Sequence, residues 1–316
     1  MTYVLFIIGF GLLIKGADYL VDGSASLAKK LKIPAIVIGL TIIAFGTSAP
    51  ELVVNIFAGA HGQSDIAIGN IIGSNIVNIL LILGLAAVIF PLKIQNNTTY
   101  KEIPLALLAV IVMVIVSNDL LIDVVNENLI SRTDGLILLL FFIIYLYYIY
   151  SISKKSTDNE SAIQLYHNGL SILMMAGGLA AMVIGGRWIV NGATEIARLL
   201  GMSEAMIGLT IVAIGTSLPE LAASTVAAYK KQADIAVGNI IGSNIFNIFW
   251  ILGLSATIRP LNFNVAMNTD LIILLATMLL LFVALFVGKK HFLDRWQGAI
   301  FIVMYVFYLI FQIYRG

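Results

Sequence analysis

The chain has 316 residues, of which 60% are hydrophobic and 11% are charged, and its mean hydropathy is +1.01. Globular domains carry about 25% charged residues, so this composition indicates a protein that folds in lipid rather than in water. The net charge of +1 argues against nucleic acid as a partner, and the lack of cysteine in the sequence excludes disulfides and thiolate metal sites.

Apolar runs of spanning length follow one another along the whole chain. A spanning helix needs about 20 mostly apolar residues. The N-terminal run, MTYVLFIIGF, lacks the basic region and cleavage site of a signal peptide, so we interpret it as the first span. Only short polar connections separate the runs, which leaves no room for a soluble domain. The pattern predicts ten helices, at residues 3–22, 34–59, 66–90, 103–120, 132–151, 167–190, 204–228, 235–258, 269–288 and 296–314.

The basic residues are distributed unevenly between the two ends of these helices. With the N-terminus outside, five basic residues fall at the outer ends: Arg132, Arg187, Arg198, Arg259 and Arg315. Twelve fall at the inner ends: Lys29, Lys30, Lys32, Lys93, Lys101, Lys154, Lys155, Lys230, Lys231, Lys289, Lys290 and Arg295. Because inner loops of membrane proteins are enriched in Lys and Arg, this count predicts that both termini are extracytoplasmic in a cell membrane.

The sequence repeats itself at an offset of 169 residues. Residues 39–92 and 208–261 align without a gap, and more than half of the aligned residues are identical. Each half holds five predicted helices, so the second half enters the membrane from the opposite side. Inverted repeats of this kind are typical of transporters. We therefore predict an all-α membrane protein with ten transmembrane helices in two inverted five-helix repeats, 1–151 and 166–316, joined by a cytoplasmic linker at 152–165.

The strongest repeated motif places a glutamate at membrane depth. It reads GTSAPE in the first half and GTSLPE in the second, and ends at Glu51 and Glu220. A charge within the membrane is costly and usually functional. The proline in each motif frees a backbone carbonyl, and broken backbone at this depth is tolerated where it lines a cavity. An ordinary helix kink with a paired glutamate explains one such motif, but two copies favour a shared oxygen-lined cation site.

The second repeated motif is GNIIGSNIxNI, at residues 69–79 and 238–248. Its glycines, spaced four apart, predict close helix packing. Asn70, Ser74 and Asn78 lie on one helical face, as do the corresponding Asn239, Ser243 and Asn247, so these two faces are expected to line the cavity. Asn70 and Asn239 could equally satisfy the broken backbone. Asn75 and Asn244 are expected to point away from this face.

The charges and oxygens of these motifs indicate the substrate class. Two carboxylates are neutralised by one Ca²⁺, two Na⁺ or two protons, and competition for the same oxygens would couple the ions as an antiporter does. Hard cations prefer oxygen ligands. The sequence contains no nucleotide-binding motif and no evident nucleophile and base pair, so neither ATP-driven transport nor enzymatic activity is expected. Na⁺/Ca²⁺ antiport is favoured over H⁺/Ca²⁺ antiport on the same fold, and a cation channel is the alternative from another class.

The paired motifs GTSAPE and GTSLPE, each followed by GNIIGSN, resemble the repeats of the cation/calcium exchanger superfamily, in particular the prokaryotic sodium/calcium antiporters. The resemblance implies electrogenic exchange of several Na⁺ for each Ca²⁺ through sliding of the first and sixth helices against a rigid core. It implies no cofactor and no obligate protein partner. The lipid bilayer is the expected surrounding, with Ca²⁺ and Na⁺ as the transported ions.

The resemblance also implies ligands at matching positions of this chain. Calcium ligands are expected at Glu51, Glu220, Thr47 and Thr216. Sodium ligands are expected at both glutamates and at Ser48, Ser217, Ser74, Ser243 and the carbonyls of Ala44 and Ala213, with Asn78 and Asn247 completing the centre. Several relatives, including potassium-dependent exchangers, carry Asp where this chain has Asn247, so K⁺ co-transport is not implied. The large regulatory loop of animal exchangers is also absent from this sequence.

Overall fold

The computed structural model describes residues 2–122, 128–154, 164–199 and 213–315. Within these residues, eight helices are long and apolar enough to cross a membrane, and a ninth span is formed by two helices that meet at an angle of 48°. The first six numbered helices are α1 (Thr2–Leu31), α2 (Ala35–Thr47), α3 (Ala49–Ala60), α4 (Ser64–Ile89), α5 (Thr98–Val116) and α6 (Arg132–Ser153), and a single unnumbered helical turn, Asp119–Ile122, lies between α5 and α6. The remaining six are α7 (Asn168–Leu199), α8 (Ala213–Thr216), α9 (Leu218–Tyr229), α10 (Ala233–Ile258), α11 (Val265–Ala284) and α12 (Arg295–Arg315).

These helices agree with the predicted all-α membrane fold. The predicted span 34–59 corresponds to α2 and α3 together. The predicted span 204–228 corresponds to α8 and α9, and its part at 204–212 lies outside the described residues. The predicted ends of the first and sixth spans, at 22 and 190, were wrong because both helices continue for two to three further turns, with several buried small residues, to Leu31 and Leu199.

The bend between α2 and α3 follows from the motif that contains it. Ser48 separates the two helices with φ −82° and ψ 8°, and Pro50 occupies the first turn of α3. Proline is tolerated in a first turn because its missing N–H has no helical partner there. Ser217 has nearly the same conformation, φ −87° and ψ 7°, and Pro219 lies in the first turn of α9. The repeated motif therefore makes the same break twice.

The centre of the bundle is formed by α4 and α10. Their most apolar stretches are 78% and 94% buried, against 33% for α1 and α7. Each contains a segment of wider π-helical turns, Val77–Leu83 in α4 and Phe246–Leu252 in α10. Such turns occur often at functional sites because they reorient side chains locally. These segments, which the hydropathy pattern does not predict, contain Asn78 and Asn247.

The glycines of α10 allow α2 to cross it closely, as the repeated motif predicted. A Cβ atom on Gly242 would lie 2.9 Å from the Leu40 carbonyl oxygen, and one on Gly238 would lie 2.9 Å from that of Ile36. The corresponding neighbours of Gly69 and Gly73, residues 205–209, lie outside the described part of the chain.

Two short antiparallel strand pairs connect the loops, a feature the all-α prediction did not include. β1 (Leu92–Lys93) pairs with β4 (Phe292–Leu293), and β2 (Leu129–Ile130) pairs with β3 (Leu261–Asn262). The first pair joins the loop after α4 to the loop before α12. The second joins the loop before α6 to the loop after α10. Each pair therefore ties one half of the chain to the other, and the two lie at opposite ends of the bundle.

Helices α1 and α7 pack as a close pair through facing glycines. A Cβ atom on Gly178 would lie 2.5 Å from the Gly16 carbonyl oxygen, and one on Gly185 would lie 2.6 Å from that of Gly9. Small residues of this kind let helix backbones approach closely in a membrane, where dispersion contacts hold helices together. The pair thus forms one packing unit beside the core.

We expect Gly178→Leu to destabilise the protein by about 1–3 kcal/mol, the usual cost of overpacking a close contact. The adjacent Gly177 provides a matched control, since a Cβ there meets nothing described within 4 Å. Gly177→Leu should be neutral or slightly stabilising because leucine favours helix over glycine. Thermal unfolding of both variants in detergent measures the difference. Equal melting temperatures for the two variants would contradict the close pairing of α1 and α7.

Candidate cation site

Glu51 and Glu220 are both buried, with 1% of each residue exposed. Each lies in the first turn of its helix, α3 or α9, directly after the break made by the repeated motif. Free backbone N–H groups and the helix dipole favour negative charge at this position. The two breaks thus provide a favourable place for a carboxylate in a protein interior that otherwise disfavours charge.

The two glutamates are linked by hydrogen bonds that cross between the repeats. The hydroxyl of Ser48 donates to Glu220 Oε1 at 2.8 Å, and the hydroxyl of Ser217 donates to Glu51 Oε1 at 3.1 Å. Each serine contacts the glutamate of the other repeat, so the motifs face each other. The structure therefore brings four of the predicted site residues together at one centre.

Two further serines come from the central helices. Ser74 donates to Glu51 Oε1 at 3.5 Å, and Ser243 donates to Glu220 Oε1 at 3.4 Å. These contacts are long for hydroxyl-to-carboxylate hydrogen bonds, which are usually about 2.5–3.0 Å, so they hold the carboxylates only weakly. The polar faces of α4 and α10 thus do line the centre, as their spacing predicted.

Four asparagines form two cross-repeat pairs beside the glutamates. Asn78 Nδ2 donates to Asn244 Oδ1 at 2.9 Å, and Asn247 Nδ2 donates to Asn75 Oδ1 at 3.0 Å. The expectation that Asn75 and Asn244 point away from the polar face was wrong. The wider turns of α4 and α10 shift the helical register, so residues that an ideal helix separates can take part in one arrangement.

The centre contains buried oxygen atoms that lack donors. Within the described residues, four of them have no hydrogen-bond partner: Glu51 Oε2, Glu220 Oε2, Asn78 Oδ1 and Asn247 Oδ1. A buried acceptor without a donor costs about 1–3 kcal/mol, and more when it is charged. A cation bound among these atoms would remove that cost. Oxygen atoms are hard ligands, which bind alkali and alkaline-earth cations in preference to soft metals.

Acidic groups alone do not make up this site. In the part of the chain that the structure describes, no group of three or more His, Asp or Glu side chains could hold a metal ion. The two carboxylates therefore depend on neutral oxygen atoms from serine, asparagine and threonine. A site with only two formal negative charges and many neutral oxygens can be neutralised by either one divalent or two monovalent cations.

The threonines of the motif lie beside the asparagines that begin the polar faces. Thr47 Oγ1 donates toward Asn239 Oδ1 at 3.1 Å and toward the Ala44 carbonyl at 3.3 Å. Thr216 Oγ1 donates to Asn70 Oδ1 at 3.4 Å. Asn70 and Asn239 thus accept from hydroxyl groups across the repeats. Among the described residues, the hydrogen bonds of both asparagines go to side chains and not to the broken backbone.

The backbone carbonyls of Ala44 and Ala213 are the two predicted carbonyl ligands, and the structure gives hydrogen-bond partners for that of Ala44. The Ala44 carbonyl accepts from the Ser48 amide at 3.0 Å as well as from Thr47. It would have to share or release one of these donors to bind a sodium ion. Ala213 begins α8, and its side chain lies outside the described part of the structure.

Most of the chain matches a known family. Residues 1–151 and 170–314 match the model of the family described as sodium/calcium exchanger protein. A putative antiporter, CaxA, from Alkalimonas amylolytica is 36% identical over 312 residues, which cover 96% of this chain and 95% of CaxA. The sodium/calcium exchanger MaX1 of Methanosarcina acetivorans is 33% identical, and the match covers 99% of both chains.

A solved structure has the same fold. The sodium-calcium exchanger NCX_Mj, soaked with Na⁺ and Sr²⁺, superimposes with a TM-score of 0.83 at 34% sequence identity, covering 97% of this chain and 96% of its own. A second structure of NCX_Mj, soaked at other ion concentrations, gives a TM-score of 0.84. These matches confirm the resemblance that the paired motifs indicated. The chain therefore belongs to the sodium/calcium exchanger family, a family of multi-pass membrane cation antiporters.

Proposed function

We propose that this protein is a secondary antiporter that exchanges Na⁺ for Ca²⁺ across the cell membrane by alternating access. The observation that carries the proposal is the set of four buried oxygen atoms without donors, two of them on carboxylates that face each other across the repeats. The chemistry of this set suits Ca²⁺ and Na⁺ equally. The names of the relatives MaX1 and NCX_Mj favour Na⁺ as the exchanged ion.

All twelve predicted site residues enter this proposal as ligands. The central ligands are the carboxylates of Glu51 and Glu220 and the side-chain oxygens of Asn78 and Asn247. Thr47 and Thr216 join them when their hydroxyl groups rotate toward the ion. The serine hydroxyls and the carbonyls of Ala44 and Ala213 serve sodium. Because Ca²⁺ and Na⁺ need the same carboxylates, one ion excludes the other, and this exclusion couples their movements.

We further propose that two parts of the fold have different roles in transport: one part moves and the other stays fixed. The chain divides into repeats at 1–151 and 166–316, with a cytoplasmic linker at 152–165 and both termini outside the cell. The glycine-packed pair of α1 and α7 moves as a unit against the core built on α4 and α10. Inverted repeats allow such a movement to open the same site first to one side of the membrane and then to the other.

Proteoliposomes loaded with different cations test the exchanged ion. We expect vesicles loaded with Na⁺ and diluted into choline medium to take up radioactive Ca²⁺. Vesicles that are loaded with K⁺, or that carry only a pH gradient, should not take it up. H⁺/Ca²⁺ antiport predicts uptake driven by the pH gradient alone, and a channel predicts uptake with no counter-ion gradient once the membrane potential is favourable. Either result would contradict Na⁺ exchange.

A further inference from the structure

A polar cavity lies at the end of the bundle that carries most of the basic residues. It has a volume of about 420 Å³, within the usual range of ligand sites, and is formed by the loop after α4 and the loop before α12. Lys93 and Lys290 contribute its charge, and Asn96 and Asn97 contribute amide groups. All four residues are exposed. The cavity is separate from the cation site in the middle of the bundle.

The walls of the cavity are fixed by the strand pair β1 and β4. Lys93 pairs with Phe292 in this ladder, and the Ile94 amide donates to the His291 carbonyl at 2.8 Å. His291 has a positive φ of 60° and contacts Thr99 Oγ1 through Nδ1 at 3.1 Å. These contacts hold the two loops together, so the cavity is a built feature of the fold and not a gap between loose segments.

The opposite end of the bundle provides an internal comparison. There β3 pairs with β2, and the Phe263 amide donates to the Asn128 carbonyl at 3.0 Å, matching the contact of Ile94 with His291. By this register, Asn262 takes the position of Lys93. The same ladder therefore forms without a lysine at this position, so Lys93 is not required for the fold. Its charge is available for another role.

Lys93 and Lys290 can form ion pairs with a bound anion. Among the described carboxylates, none forms a salt bridge with Lys93 or Lys290. The half-buried carboxylate of Asp234 interacts electrostatically with Lys93 without a direct ion pair, and it accepts from Gln95 Nε2 at 2.6 Å. Lys289, next in the chain, stacks on the Phe292 ring at 4.0 Å and adds to the positive field.

Two exposed aromatic side chains lie beside the cavity where the membrane surface would be. Tyr100 and Phe286 are 57% and 36% exposed. The rings of Tyr100 and Phe286 contact the His291 ring, with centroids 5.5 and 6.1 Å apart. Exposed aromatic residues mark the interface between lipid tails and water. A ligand with an anionic head and apolar tails fits both the cavity and this rim.

We propose that this cavity binds the phosphodiester headgroup of an anionic phospholipid, with Lys93 and Lys290 on the phosphate and the Asn96 and Asn97 amides on the headgroup hydroxyls. Basic pockets at the cytoplasmic ends of membrane helices bind such headgroups. Because the ladder links both halves of the core, the bound lipid stabilises the core without touching the transported ions.

Thermal unfolding of the purified full chain in detergent tests the proposal, with phosphatidylglycerol or phosphatidylcholine added at equal concentration. We expect phosphatidylglycerol to raise the melting temperature more, as a ligand that binds only the folded state does. In the double variant K93N/K290N we expect at least about half of this selective shift to disappear. The matched control K30N/K154N removes the same charge at the same end of the bundle, outside the cavity, and should keep the shift.

Each of the following results would overturn the proposal. The shift could persist in K93N/K290N, or it could disappear equally in K30N/K154N, which would show a general response to charge. Inorganic phosphate alone could also reproduce it, which would identify a soluble anion as the ligand. If the double variant does not fold, the single variants K93N and K290N replace it, and each should lose part of the selective shift. Full retention of the shift in both single variants would be equally contradictory.

Discussion

Replacing Glu51 with glutamine should reduce Ca²⁺ transport by at least about 100-fold, and replacing Glu220 should do the same. Removing one partner of a buried contact between opposite charges, here a carboxylate and the bound cation, typically costs about 3–5 kcal/mol, and each 1.4 kcal/mol is about a factor of ten. Glutamine keeps the size of the side chain and one oxygen, so the Ser217 and Ser48 hydroxyls still find an acceptor. We therefore expect both variants to fold and to fail in transport.

Glu102 provides the matched control for these variants. It is also a buried glutamate, 1% exposed, and lies in α5, where the Tyr148 hydroxyl donates to its carboxylate. Glu102→Gln should keep most of the transport rate because this side chain is not part of the central oxygen set. Ca²⁺ uptake is measured in proteoliposomes. Rapid uptake by either the Glu51 or the Glu220 variant would contradict the assignment of the two glutamates as the central cation ligands.

Asn247→Asp should raise the affinity for Ca²⁺, the opposite direction to the loss expected for the two glutamate variants. The new carboxylate adds a third negative charge beside Glu51 and Glu220. At about 4 Å and an effective dielectric constant of about 20, a unit charge pair is worth about 4 kcal/mol before desolvation. We expect the apparent KM for Ca²⁺ to fall about tenfold or more and the maximal rate to fall, because release becomes slower.

Acidic medium should reverse the effect of Asn247→Asp. Once protonated, the introduced carboxyl group is neutral and can again donate to Asn75 Oδ1, which accepts from Asn247 Nδ2 in the native chain. Asn264→Asp is a suitable control, since Asn264 caps an exposed turn by accepting from the Ala266 amide, and aspartate caps equally well. If the KM for Ca²⁺ of Asn247→Asp equals that of the native chain across the pH range, the side-chain oxygen at position 247 does not contact Ca²⁺.

Much of the fold can be predicted from two patterns in the sequence, its hydropathy and its internal repeat. Hydropathy predicts the spans because a backbone in lipid must satisfy its own hydrogen bonds. The fixed offset between the halves pairs Glu51 with Glu220, and the crossed serine contacts agree with that pairing. These predictions depend on composition and on the match between the two halves, and both can be read from the sequence without knowing which segments contact each other.

Other features could not be read from the sequence because they depend on contacts between distant segments. The wider turns of α4 and α10 have no distinct residue pattern, and an ideal helix without them places Asn75 and Asn244 off the polar face. The strand pairs β1–β4 and β2–β3 are two residues long and join loops from different halves. The continuation of α1 past residue 22 depends on burial of its small residues.

Equilibrium binding of radioactive Ca²⁺ to the purified protein, with Na⁺ titrated against choline at constant ionic strength, tests the central claim most directly. A single shared site predicts about one Ca²⁺ per chain, in keeping with two carboxylates that one divalent cation neutralises. It also predicts full displacement of Ca²⁺ by Na⁺ but not by choline, and no binding in the Glu51→Gln, Glu220→Gln double variant. Ca²⁺ that stays bound at saturating Na⁺, or that binds the double variant as tightly as the native chain, would contradict the account.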